Sequence, residues 1–310
     1  MKINRRQWSL GLGAALALPG LSRAQTTGRQ VQDALGRSQV LPAQAQRVLA
    51  LSERDLDAAL ALGLKPVAST LGRAQLGFPP YLAGAAQGVL SLGQFANPSM
   101  DRVLAARPDL ILAGGLADAK LFAQLERVAP TVSTYRGTEP WTLSLPRLAD
   151  WLGREQAGAE ALQRYQSRVA ALRQRLAAQQ GRSVSLVRWT PQGPAYMKGQ
   201  AFAGLLLGEL GLTRPPRQQE PGAGHSAPLS SEALGEIDAD WLLIGMFGSG
   251  AGHEPQALQA LLQQPGFRQL RAARAGRVRQ VDAALWTVTG GPLAAMAVLD
   301  DVERLMLAAA

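Results

Sequence analysis

Asp101-Arg102-Val103-Leu104-Ala105-Ala106-Arg107-Pro108-Asp109-Leu110-Ile111-Leu112 decides how this chain is built, because its pattern occurs twice. An acidic residue opens a short stretch, and eight positions later an Asp introduces an uninterrupted apolar run. In the second half Glu232-Ala233-Leu234 is followed at the same interval by Asp240-Trp241-Leu242-Leu243-Ile244, 131 positions further on. Each unit reads as an acid-capped helix, a turn and a strand buried on both faces, which is how strands of a helix-covered parallel sheet look. A second echo agrees. Ala61-Leu62-Gly63-Leu64 and Glu209-Leu210-Gly211-Leu212 each place a Gly just past a helical run, with Pro following. A repeat of α/β units at this separation predicts two similar α/β lobes.

Working outward, further strands are expected over residues 47–51, 65–70, 89–92, 109–113 and 131–134 of the first half, with a helix over 56–62. In the second half they are expected over 183–189, 195–198, 241–247 and 277–282. Between the halves the pattern changes. Leu145, Leu148 and Leu152, then Leu162, Tyr165, Val169, Leu172 and Leu176, recur every three or four residues, with Arg and Gln between them. That spacing predicts one long amphipathic helix or two abutting ones. The expected organisation is an N-terminal α/β lobe over 30–138, a linking helical segment over 139–181 and a C-terminal α/β lobe over 182–310.

Residues 1–24 read as an export signal. They carry Lys2, Arg5, Arg6 and Arg23 and no acid, an apolar run over 10–21, and small residues at Ser22 and Ala24. The apolar run is too short to span a bilayer, which takes about 20 residues. Asn4-Arg5-Arg6-Gln7-Trp8-Ser9-Leu10 resembles a twin-arginine signal, so Tat-type export to the periplasm is expected. The whole chain has a formal net charge of +9, from 32 basic and 23 acidic residues. Removing four basic residues with the signal leaves 28 against 23, a net +5.

With no Cys and only 2 His in 310 residues, disulfides, thiolate metal sites and a Cys nucleophile are excluded. Most transition-metal centres held by the protein itself lack the necessary ligands as well. No metal site and no cofactor is expected. Arg164, Arg168, Arg173 and Arg175 are scattered along the linking segment without interleaved aromatics, which argues against nucleic-acid binding. The cluster Arg268, Arg271, Arg274, Arg277 and Arg279 is a candidate for steering an anionic ligand.

Gln46-Arg47-Val48-Leu49-Ala50-Leu51, then Asn97-Pro98-Ser99-Met100 running into the repeat at Asp101, then Val128-Ala129-Pro130-Thr131-Val132, follow one another in a recognisable order. Ala275-Gly276-Arg277-Val278, Val281-Asp282, Trp286 and Gly290-Gly291-Pro292-Leu293-Ala294-Ala295 complete it. Across residues 30–309 the chain resembles the periplasmic substrate-binding proteins of iron–siderophore, haem and cobalamin ABC importers. The resemblance implies two Rossmann-like lobes joined by a long rigid helix, with the ligand in the cleft between them. It also implies a monomeric receptor, not an enzyme, that captures a ferric siderophore and delivers it to an inner-membrane ABC permease.

The chain is most similar to the ferric-hydroxamate branch, so a hydroxamate-type chelate is expected, its iron arriving already coordinated. Phe95 stands where that branch carries an Arg, and Asp118 and Gly224 replace pocket aromatics, while Trp286 corresponds to an aromatic that is kept. The resemblance assigns permease docking to Asp101 and Glu232, the two acids that open the repeats; both residues also suit a helix N-terminus for its dipole alone.

Ligands of open α/β sheets lie beyond the C-terminal ends of strands. The candidates there are Arg73, Phe95, Trp189, Phe247 and Trp286, with Tyr196 close enough to add a hydroxyl, whereas Trp241 reads as core. Cobalamin or haem is the alternative ligand. Haem would call on one of Tyr81, Tyr135, Tyr165, Tyr196, His225 or His253. A remote alternative is an exported hydrolase built on Phe247-Gly248-Ser249-Gly250-Ala251-Gly252-His253, although the Gly that a nucleophile elbow needs two places before Ser is Phe247.

Overall fold

The computed structural model describes residues 28–73, 76–222, 224–247, 254–288 and 290–307. The export signal expected over 1–24 and the Ser249 and His253 of the hydrolase alternative lie outside the described residues. A hairpin of β1 (Arg29–Gln32) and β2 (Ser38–Leu41) precedes the first large sheet. That sheet holds β3 (Val48–Ala50), β4 (Ala68–Leu71), β5 (Leu90–Gln94), β6 (Asn97–Pro98), β7 (Leu110–Leu112) and β8 (Thr131–Val132). Their order is β6-β5-β4-β3-β7-β8, parallel throughout except for β6 at the edge. The second sheet contains β9 (Val184–Thr190), β10 (Gly193–Tyr196), β11 (Trp241–Met246) and β12 (Val278–Val281), in the order β10-β9-β11-β12. Only β10 runs antiparallel there. The architecture is thus the parallel-rich α/β class expected from the sequence.

The two echoes in the sequence have the same physical meaning in each sheet. Asp109, just before β7, accepts the backbone N–H groups of Gln46 (2.7 Å) and Arg47 (2.9 Å), just before the neighbouring β3. Asp240, just before β11, accepts the N–H of Ser183 (2.8 Å) and its hydroxyl (2.9 Å), just before the neighbouring β9. Each Asp ties the start of its own strand to the start of the parallel strand beside it. The glycines match too. Gly63 (φ +73°) and Gly211 (φ +80°) adopt left-handed backbone after the helices Glu53–Ala61 and Phe202–Glu209. In both, the following Leu closes the helix: Leu64 N–H donates to Ala59 O (2.9 Å) and Leu212 N–H to Leu207 O (3.1 Å). This is the Schellman arrangement, in which a residue with a side chain at the Gly position would be strained.

The linking segment is two helices, Trp141–Trp151 and Glu155–Arg175, separated by Leu152-Gly153-Arg154. Trp141 meets Tyr165 edge to face, with ring centroids 4.8 Å apart. The C-terminal helix Pro292–Leu307 lies along Glu155–Arg175, held by Arg168 with Asp300 (2.8 Å) and Glu303, and by Arg175 with Glu303. One apolar cluster runs from Val48 and Leu110 through Trp141, Tyr165 and Leu172 to Val184, Leu243 and Met306. The core of each sheet is therefore continuous with the other through the linking helices. Among the described residues no helix is long and apolar enough to cross a membrane.

Candidate ligand-binding cleft

From β3 the chain builds outward to β4 and β5 on one side, then returns to add β7 and β8 on the other. The reversal lies between β3 and β7, and a crevice opens beyond the C-terminal ends of strands at such a point. A cavity of about 240 Å³ occurs there. Its first wall comes from the ends of the first sheet and the start of the linking helices, including Arg54, Arg73, Tyr135, Glu139 and Trp141. Its second wall is one side of the helix Phe202–Glu209, through Phe202, Leu205, Leu206 and Glu209, with Val288 and Gly290 beside it.

Behind the cavity wall, buried Asp55 forms a polar floor beneath the strand ends. Ser52 caps the helix Glu53–Ala61, accepting the Asp55 N–H (3.0 Å) and donating its hydroxyl to Asp55 Oδ2 (2.8 Å). The same oxygen accepts the Gly114 N–H beyond β7 (2.9 Å), and Thr134 beyond β8 donates to Asp55 Oδ1. One buried carboxylate thus joins the ends of three strands, although burial raises its pKa against these hydrogen bonds. A Cβ on Gly114 would lie 2.4 Å from the Tyr135 ring, so Gly there lets Tyr135 reach the wall.

Two guanidiniums stand above this floor. Arg54 donates to Glu139 O (2.9 Å) and Ser144 Oγ (2.6 Å), with its charged carbon 4.0 Å from the centre of the Tyr135 ring. Burial lowers its pKa, while Tyr135, Asp55, Glu139 and Asp57 oppose that shift. Arg73 pairs with Glu53 (3.2 Å) and lies 4.0 Å over the Phe95 ring. Glu53 is 3% exposed, its Oε2 meets no hydrogen-bond partner, and burial raises its carboxyl pKa against the pull of Arg73. Each cation is held over an aromatic face, whose electron-rich surface attracts the charge and fixes the guanidinium plane.

The residues expected at the site separate into groups. Arg73 is in the cavity wall and Phe95 stacks beneath it, so a guanidinium lies beside position 95 although Phe occupies it. Phe247 carries the Arg188 guanidinium at 4.3 Å, beyond the end of β11, and is not part of the cavity wall. Trp189 packs edge-on against Phe267, centroids 5.9 Å apart. Tyr196 is 5% exposed in the apolar cluster of Ile237 and Phe267, so it faces core rather than the cleft. Trp286 is corrected as well. It is fully buried on the helix Ala283–Thr287, with its indole N–H donating to Asp301 (2.9 Å), and cannot touch a cleft ligand. Trp241 is core, as expected.

Among the described Tyr and His candidates for haem, Tyr135 alone lines the cavity; the Tyr165 hydroxyl donates to Glu209 (2.8 Å), and exposed His225 bonds the Ser226 carbonyl (2.8 Å). Asp118 is a helix cap, accepting the N–H groups of Lys120 (2.8 Å) and Leu121 (3.0 Å). Asp101 and Glu232 are exposed in the first turns of Met100–Ala105 and Ser231–Ile237, and neither forms an ion pair among the described residues. Of the arginine cluster, Arg271 pairs with Asp238 (3.0 Å) and Asp240 (3.6 Å), while Arg277 bonds the Asp240 carbonyl (2.8 Å). Those two charges are therefore partly spent on holding the fold.

Sequence reasoning missed Arg54 and Phe202, and offered Tyr135 only among the haem candidates. The available signal was Gly114-Gly115 after a buried strand and the charged run Glu53-Arg54-Asp55 opening an apolar helix.

Residues 48–285 match the model of the family described as periplasmic binding protein. The chain is 28% identical over 285 residues to a Bacillus subtilis protein named as a probable siderophore-binding lipoprotein, YfiY, covering 90% of this chain and 88% of that one. It is 28% identical over 282 residues to an achromobactin-binding periplasmic protein of Dickeya dadantii, covering 87% and 88%. The fold is similar to that of Staphylococcus aureus SirA complexed with staphyloferrin B, with a TM-score of 0.78 at 21% identity, covering 90% and 98%.

Proposed function

Because the chain belongs to the periplasmic binding protein family, we propose that it captures a ferric siderophore in this cleft and delivers it to an inner-membrane ABC permease. The observation that carries the reading is the pair of guanidiniums, Arg54 and Arg73, each lying on an aromatic face at the cavity. A chelate brings iron already coordinated, so the iron is cargo. The protein has only to supply flat apolar surface for the organic shell and donors for its oxygens. The action is binding and release, without a chemical step or a cofactor. The exported chain works as a monomer in the periplasm after loss of its signal, and Asp101 and Glu232 dock to cationic pockets of the permease.

Arg73, with Phe95 stacked beneath it, is the ligand contact retained from the sequence, joined by Arg54, Tyr135 and Phe202. A hydroxamate chelate is the first ligand class. A carboxylate-bearing chelate is the second, favoured because a guanidinium binds a carboxylate through two parallel hydrogen bonds. Trp141 in the wall makes intrinsic fluorescence the natural test. Titration with a ferric hydroxamate, ferric citrate, haemin and cobalamin should show submicromolar quenching by a ferric chelate. Quenching by haemin or cobalamin alone would overturn the siderophore reading.

A further inference from the structure

The helix Phe202–Glu209 has a second side. While Phe202, Leu205, Leu206 and Glu209 face the cleft, Gly204 and Gly208 border a different cavity of about 510 Å³. Gly199, Thr213, Arg214 and Gln219 complete much of its wall, and only Gln200 and Leu205 border both spaces. We propose that this second cavity is an oxyanion-binding site of the C-terminal half, built on Arg214 and separate from the cleft, for a small solute carrying a phosphate or carboxylate.

Arg214 is 7% exposed. Its Nη2 donates to the Met197 carbonyl (2.8 Å) and to Gln218 Oε1 (2.8 Å), both neutral acceptors. Its Nε and Nη1 meet no acceptor, and among the described residues no acidic side chain pairs with it. Burial alone pushes its pKa down, to about 10, which leaves it charged at neutral pH. A buried cation without a counter-charge is the arrangement that folded proteins avoid. Other arginines of this chain show the ordinary solution: Arg73, Arg147 and Arg168 each pair with a carboxylate.

The surroundings hold Arg214 in place without neutralising it. Gln218 is fully buried and donates to Ser185 Oγ (2.6 Å), which fixes its acceptor oxygen toward Arg214. A Cβ on Gly204 would lie 2.5 Å from Arg214 Nη1, so the absence of a side chain there gives the guanidinium its room. Gly199, Gly204 and Gly208 also leave this side of the cavity without side chains. The two unbonded nitrogens are themselves buried, so they meet a ligand when the guanidinium turns into the cavity that Arg214 already walls. A phosphate or carboxylate then supplies two oxygens in the spacing that the guanidinium fork requires.

The test is thermal unfolding of the mature chain against inorganic phosphate or acetate, with sodium chloride at matched ionic strength as the control. A saturable rise in Tm of a few degrees is expected with one of the oxyanions and not with chloride. The rise should be absent in Arg214→Met and retained in Arg73→Ala, whose lesion is in the cleft. If Arg214→Met does not fold, Gly204→Ala serves instead, and should weaken oxyanion affinity about tenfold, the loss of one charge-assisted hydrogen bond. An equal rise in wild type and Arg214→Met, unchanged affinity in Gly204→Ala, loss of the rise in Arg73→Ala, or no saturable rise in the wild type would each overturn the proposal.

Discussion

Asp57 belongs to the first helix among the described residues, Glu53–Ala61, and holds the start of the last, Pro292–Leu307. Its carboxylate accepts the backbone N–H groups of Leu293 (2.9 Å), Ala294 (2.8 Å) and Gly291 (3.3 Å), at the head of Pro292–Leu307. Three donors would lower its pKa, yet complete burial outweighs them and pushes it up to about 6. The folded protein therefore holds this proton more tightly than the unfolded chain, whose carboxyl titrates near 3.8. Stability contributed here falls as pH rises through the window between those values, and is recovered on acidification. Relative to Asp57→Asn, the wild type should gain about 1 kcal/mol of stability between pH 7 and pH 5, measured by denaturant unfolding. Identical pH slopes in the two proteins would mean that the carboxyl titrates as an exposed one. Trp286 shows the opposite kind of residue-level lesson. Position after a strand marked it for the cleft, but the turn into Ala283–Thr287 sends its ring to the core and its N–H to Asp301.

At the scale of elements, Asp109 and Asp240 perform one task in two sheets. Each accepts hydrogen bonds from the residues just before the neighbouring parallel strand, so replacing either leaves strand-start donors unpaired. Asp109→Ala and Asp240→Ala should each cost about 1–2 kcal/mol in denaturant unfolding, and the two costs should add because they act in separate sheets. Strong coupling between them would contradict the picture of two independently anchored sheets. The large-sheet strands other than the two-residue β6 were legible because they are short runs rich in apolar and β-branched residues, with Pro, Gly or Asp close to most of their ends. The hairpin of β1 and β2 was not, since Arg-Gln-Val-Gln and Ser-Gln-Val-Leu offer little apolar pattern. Arg73 was legible as a site residue because strand ends can be counted along the chain. Arg54 was not, nor was its pairing with Tyr135, because the two meet only when β3, β7 and β8 lie side by side.

The whole molecule reads as one body with a cleft, two sheets sharing a core through the linking helices. Under the proposed function, docking rests on surface acids rather than on the cleft. A double variant Asp101→Arg, Glu232→Arg should bind its ferric ligand as the wild type does and fail to support uptake in cells. Preserved uptake would remove the docking role. The central claim is that cleft guanidiniums take a ferric chelate, and calorimetric titration of the tightest-binding ferric chelate into wild type and Arg73→Ala tests it most directly. The account predicts submicromolar binding at one site, weakened about tenfold or more by the loss of one charge-assisted contact. Equal affinity in the two proteins, or no binding of any ferric chelate by the wild type, would contradict it.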